Sequence, residues 1–168
     1  MKKFFLFAAC LFTLTMAPGQ DYASEKTGNN EFGFHAGATT GLGLSYRHWF
    51  NRAGFQLTAL PIRTDDITFI SAGVTALYSF YDSKYVTVFG YFGNHFFIHE
   101  EDGEEYNWNT GTYEPDHYDD TAYSFGIGPG FAFGKTVRFN LMVGYGFYDV
   151  FEKLNMYPTG EIGLYYRF

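Results

Sequence analysis

His95 and Ser124 flank a long polar segment. If the chain doubles back so that Ile98 meets Thr121, the two become cross-strand neighbours, with Asp119 or Asp120 close by. A serine, a histidine and an acid in reach of one another are the parts of nucleophilic acyl transfer: the imidazole takes the hydroxyl proton and the carboxylate orients the ring. His35 and Ser45 would pair similarly in the first hairpin. In a chain with 5 His and many Ser such pairs also arise by chance, so they count as catalytic candidates only with a geometry behind them.

The segment between them, HEEDGEEYNWNTGTYEPDHYDD (99–120), holds nine of the 18 Asp and Glu residues and no Lys or Arg. The formal charge of −7 is therefore local. Glu100, Glu101, Asp102, Asp116 and Asp119, with backbone oxygens nearby, suit a hard divalent cation such as Ca²⁺, although no EF-hand spacing is present. Trp108 and the tyrosines around it offer instead an aromatic face for a sugar or a partner protein. The plainer reading is a solvated external loop. No other cofactor is indicated, and an acidic chain with no basic stripe excludes nucleic acid.

These residues must be positioned by strands. Phe (21), Tyr (15) and Gly (20) dominate 168 residues, and aromatics favour sheets while Gly weakens helices. From Phe32 onward the pattern has period two, which predicts eight strands over about 32–39, 41–50, 53–63, 67–81, 84–98, 120–133, 135–148 and 156–168. In the seventh, Val137, Phe139, Leu141, Val143, Tyr145 and Phe147 share one face, and Arg138, Asn140, Met142, Gly144 and Gly146 share the other. A soluble barrel needs large apolar residues inside. Here they would overfill eight strands, so they must face lipid, with the small and polar face inward. Pro61 and Pro129 fall inside strands, where bulges are expected.

The inward parity gathers Arg47, Arg138, Arg167, Glu161 and His35, together with Gln56, Thr75 and Asn140. Buried charges are costly alone, so Glu161 is expected to bridge at least one arginine. Such a lumen is either a gate or narrow pore, or a packed polar core; the width of eight strands favours the core.

The first residues, MKKFFLFAACLFTLTMAPG, have a basic start, an apolar run and small residues at 17–19, as in a signal peptide over 1–19. Residues 20–31 read as a flexible leader and 32–168 as the barrel, with 99–119 as a long external loop. The only Cys, Cys10, lies in the signal segment, so no structural disulfide is possible.

The chain ends EIGLYYRF. Glu161, Gly163, Tyr166 and Phe168 match the spacing of the C-terminal assembly signal of bacterial outer-membrane proteins. With the signal peptide and eight alternating segments, the chain resembles the small eight-stranded outer-membrane barrels of the OmpA, OmpX and OmpW type. That resemblance implies an all-β, antiparallel, up-and-down transmembrane barrel in the bacterial outer membrane. It further implies a monomer with both termini periplasmic, surrounded by outer-membrane lipid and lipopolysaccharide and assembled by the barrel assembly machinery. It leaves the activity open: a structural or surface-interaction role through the acidic loop, a lipid A deacylase or acyltransferase, or a narrow pore.

Overall fold

The computed structural model describes residues 28–64, 67–107, 112–150 and 154–168, with the backbone alone described over 102–107 and 112–117. The signal segment and most of the leader lie outside these residues. Eight strands follow in order: β1 (Asn30–Gly37), β2 (Gly41–Phe50), β3 (Ala53–Arg63), β4 (Ile67–Asp82), β5 (Val86–Asn107), β6 (Thr112–Phe133), β7 (Val137–Tyr148) and β8 (Asn155–Arg167). Each pairs antiparallel with its neighbour, and β1 pairs with β8, so the sheet closes into an up-and-down barrel.

Period-two sequence becomes two surfaces of opposite character. Phe34, Val74, Phe92, Ile127, Phe139, Ile162 and Leu164 are exposed outward, while Arg47, Gln56, Thr75, Arg138, Asn140 and Glu161 are fully buried inward. A large side chain gains roughly 1.5–3 kcal/mol when hydrocarbon replaces water around it, so this belt is stable facing lipid and unstable facing water. Closure leaves no unpaired sheet edge in that belt, as a membrane requires. The inside also contains an apolar layer of Trp49, Leu77, Phe89, Tyr91, Ala132 and Met142.

The predicted strands are present, with four differences. β1 begins at Asn30, so Glu31, expected in the leader, belongs to the barrel and is 1 % exposed. The expected loop over 99–119 is largely strand: β5 and β6 stay in register from Val86↔Phe133 to Asn107↔Thr112. β4 meets β5 only as far as Ile67↔Glu101, so this hairpin projects beyond its neighbour. The projecting part lacks the apolar alternation that reveals strands elsewhere.

The expected bulges are absent at both prolines. Pro61 keeps register with Ile70, and its strand has left β2 by Ala59↔Leu44, so no β2 ladder is broken there. Pro129 keeps register with Gly90; toward β7 the pairing lapses over Gly128 and Pro129 and resumes at Gly130↔Met142 without a slip. The register shifts instead between Ser79 and Tyr81, where Phe80 is the extra residue of β4.

The terminus is held on both sides of one peptide pair. Phe168 N–H donates to Asn30 O (2.9 Å), and Asn30 N–H donates to Phe168 O (3.2 Å). Tyr166 and Phe168 stack outward at 6.4 Å. A Cβ on Gly33 would overlap the Leu164 carbonyl across the β1–β8 seam. Gly33→Val should therefore block closure, read as loss of the compact, heat-modifiable band of the folded barrel on unboiled gels. Gly160→Val, where a Cβ meets nothing within 4 Å, should keep that band.

Candidate functional site

Two polar clusters occupy opposite ends of the lumen. At the end holding the termini, Glu31 lies in register with Arg47 of β2 and Arg167 of β8, all on the inward face. Its Oε1 accepts from Arg167 Nε (2.8 Å) and lies 2.6 Å from Arg167 Nη2. Its Oε2 accepts from Arg47 Nη1 (3.3 Å), and Arg138 Nη1 lies 3.4 Å from Oε1. One carboxylate therefore faces three buried guanidiniums. The excess positive charge is spread over polar acceptors: Arg47 donates to Gln56 (2.6 Å), and Arg138 donates to Thr87 (2.6 Å), which in turn donates to Asp82 (2.6 Å). Arg47 also lies over the Tyr165 ring at 4.5 Å and the Phe89 ring at 5.3 Å, where ring faces attract cations.

The expected bridge from Glu161 to an arginine is not formed. Glu161 sits beside Ile162, which pairs with Ala36, about six residues and roughly 20 Å up the barrel from Glu31. Its carboxylate instead accepts from Thr39 N–H (3.1 Å) and from the hydroxyls of Thr39 and Thr40. His35 Nε2 donates to Thr40 Oγ1 (2.6 Å) and lies 3.5 Å from Glu161. Glu31 takes the part expected of Glu161. The sequence carries a signal for it: Glu31 shares the parity of Gly33 and His35, one residue before the strand predicted from Phe32.

His95 and Ser124 are cross-strand neighbours in the expected register. They lie inside the lumen, 8 % and 5 % exposed, and not at the rim, since β5 continues to Asn107. Neither engages the other. Ser124 donates its proton to Ala38 O (2.7 Å), and so does His95 Nδ1 (2.9 Å). His95 Nε2 then accepts from Ser71 Oγ (2.9 Å). Asp120 pairs with His99 and Asp119 with Glu100, about 13 Å along the strand, too far to orient the ring. This arrangement spends the Ser124 proton on a carbonyl and supplies no activated nucleophile. In the first hairpin Ser45 pairs with Gly33 and His35 with Gly43, so His35 and Ser45 are not partners.

At the base of the projecting hairpin Glu100 and Asp119 are directly opposite, and beyond them so are Asp102 and His117, and Gly103 and Asp116. Glu100, Glu101 and Asp119 are exposed, and Glu101 lies 3.5 Å from His99. Like charges opposite each other weaken a strand pair, so this pattern is not there to stabilise the sheet. Trp108 lies outside the described residues. Among the described residues no three His, Cys, Asp or Glu side chains converge as a metal set. Phe69, Phe97, His99 and Tyr118 form an aromatic group where the hairpin leaves the barrel, with ring centroids between 5.1 and 6.3 Å apart.

Of the assembly-signal residues, Glu161 and Gly163 face inward and Tyr166 and Phe168 outward. No protein-family model matches the sequence, and neither does any curated protein. Solved structures of similar fold include the N-terminal β-barrel domain of Pseudomonas aeruginosa OprF (12 % identity, covering 83 % of this chain and 98 % of that one, TM-score 0.46). Neisserial surface protein A follows at 16 % identity, covering 83 % and 93 %, with a TM-score of 0.43. Ail, the attachment invasion locus protein of Yersinia pestis, matches at 19 % identity over 83 % and 96 %, with a TM-score of 0.39. The pairing of its own strands makes this chain a closed, eight-stranded antiparallel β-barrel with its large apolar side chains outward.

Proposed function

We propose that this chain resides in a bacterial outer membrane as a sealed, monomeric barrel whose work is done by its projecting acidic hairpin. The observation that carries this reading is the contrast between the two ends of β5 and β6. Through the apolar belt they are ordinary lipid-facing strands; beyond Glu101 they continue as a paired, acidic ribbon outside their β4 neighbour. By parity the termini and the short turns lie on the periplasmic side, and the hairpin on the external side. Lipid and lipopolysaccharide surround the belt, and the C-terminal residues are read by the barrel assembly machinery during insertion. The density of carboxylates selects a partner with a cationic surface, and the tyrosines and Trp108 of the same segment add aromatic contacts. A divalent cation bound between carboxylates would compete with that partner.

The lumen supports a passive role. An interior of eight strands is just wide enough for side chains, and here the Glu31 clamp and the Trp49–Phe89–Tyr91–Met142 layer fill it. In planar bilayers the protein should show no conductance above baseline; resolved channel steps would favour a pore. Glu31→Ala leaves three buried guanidiniums without their shared carboxylate and should cost about 3–5 kcal/mol in urea unfolding from lipid vesicles. A loss below about 1 kcal/mol would mean that the clamp does not stabilise the barrel.

The binding reading is tested by removing residues 102–117, which lie beyond every pair that β5 makes with β4. The shortened protein should keep its heat-modifiable band. Its affinity for a Lys-rich peptide, measured by calorimetry in nanodiscs, should fall at least tenfold, as should that of the intact protein on raising the salt. Unchanged affinity would place the contact surface elsewhere.

A further inference from the structure

The turn between β1 and β2 is the least expected feature of the barrel. Hairpin turns run over protein surfaces, where water satisfies their polar groups. Here Thr39 and Thr40 are both fully buried. The turn folds into the lumen at the end opposite the termini, and the walls are built to receive it.

Five side chains from five strands hold it. Glu161 of β8 accepts from the Thr39 amide and from both threonine hydroxyls. His35 of β1 donates to Thr40. His95 of β5 and Ser124 of β6 donate to the Ala38 carbonyl, and Ser71 of β4, bonded to His95, accepts from the Leu42 amide that follows the turn. The walls are cut back where the turn lies. A Cβ on Gly126 would overlap Thr39 Oγ1, one on Gly93 would meet Thr40 Cγ2 at 2.5 Å, and one on Gly73 would overlap the Thr40 carbonyl. Gly41 leaves the turn at φ +93°, a conformation other residues rarely adopt. Glycines on three separate strands, all facing one turn, make a socket.

We infer that the Ala38–Thr40 turn is an internal plug that closes the external end of the lumen, and that Glu161 is the residue that keeps it seated. Beneath it Thr75 is fully buried beside Gly93, and its hydroxyl has no hydrogen-bond partner. The apolar layer of Trp49, Phe89, Tyr91 and Met142 lies below it, toward the end that holds the termini. Releasing the turn therefore opens a vestibule to small hydrophilic solutes from the external end and does not open a channel through the protein. This inference rests on the sealed lumen proposed above.

The experiment uses Thr75→Cys in the full chain carrying Cys10→Ser, purified in detergent, with a small charged methanethiosulfonate as the probe. With the turn seated, the thiol should be protected. Glu161→Ala removes the seat, and Gly126→Ala wedges the turn out by pressing on Thr39 while Glu161 stays in place. Each should raise the labelling rate at least tenfold, with the heat-modifiable band confirming a folded barrel and Gly126→Ala serving if Glu161→Ala does not fold. Rapid labelling with the native turn would overturn both the plug and the sealed lumen. Protection that persists in a folded released variant would overturn the plug alone.

Discussion

An eight-stranded cylinder leaves its interior too narrow for bulk water, and that dimension governs everything inside it. A buried guanidinium or carboxylate there cannot be solvated and must be paired within the lumen. Both clusters follow. At the end with the termini a single carboxylate is shared by three arginines, with Gln56, Thr87 and the Tyr165 ring as further partners. At the other end a single carboxylate takes a backbone amide and two hydroxyls, and the backbone that supplies them is a turn drawn in from outside. The same shortage of solvent that makes Glu31 a clamp makes Glu161 a seat.

Much of this was legible in the residue order, because lipid imposes a pattern on every residue that touches it. Alternation located all eight strands and put Arg47, Arg138, Arg167, His35 and Glu161 on the inner face without coordinates. The places where the reading failed are those where lipid imposes nothing. Glu31 follows two asparagines and looks like the end of a polar leader; pairing with β2 on one side and β8 on the other makes it part of the wall. The projecting hairpin carries no apolar stripe in its sequence, so its strands read as a loop.

The partners of the inward carboxylates were hidden for a different reason. Sequence parity assigns a face but not a height, and Glu161 is separated from the arginines by height alone. The seat of the turn is similarly dispersed: Gly73, Gly93 and Gly126 each read as an ordinary inward glycine, and only the closed barrel brings them around Thr39 and Thr40. Likewise His95 and Ser124 were correctly placed opposite one another, yet both point to a carbonyl that no cross-strand rule could foresee.

The β1–β8 seam has a consequence for how the chain comes to exist as a barrel. Every other strand pair joins neighbours in sequence, so seven of the eight seams can form by local hairpin closure. The eighth unites Glu31 with Arg167, and Asn30 with the final residue, across nearly the whole chain. Until the last strand arrives, β1 has one edge without a partner and Glu31 lacks the guanidinium that lies nearest to it. Loop closure over such a separation is slow and entropically costly. A product truncated before Arg167 therefore lacks both the edge and the charge that shut the cylinder.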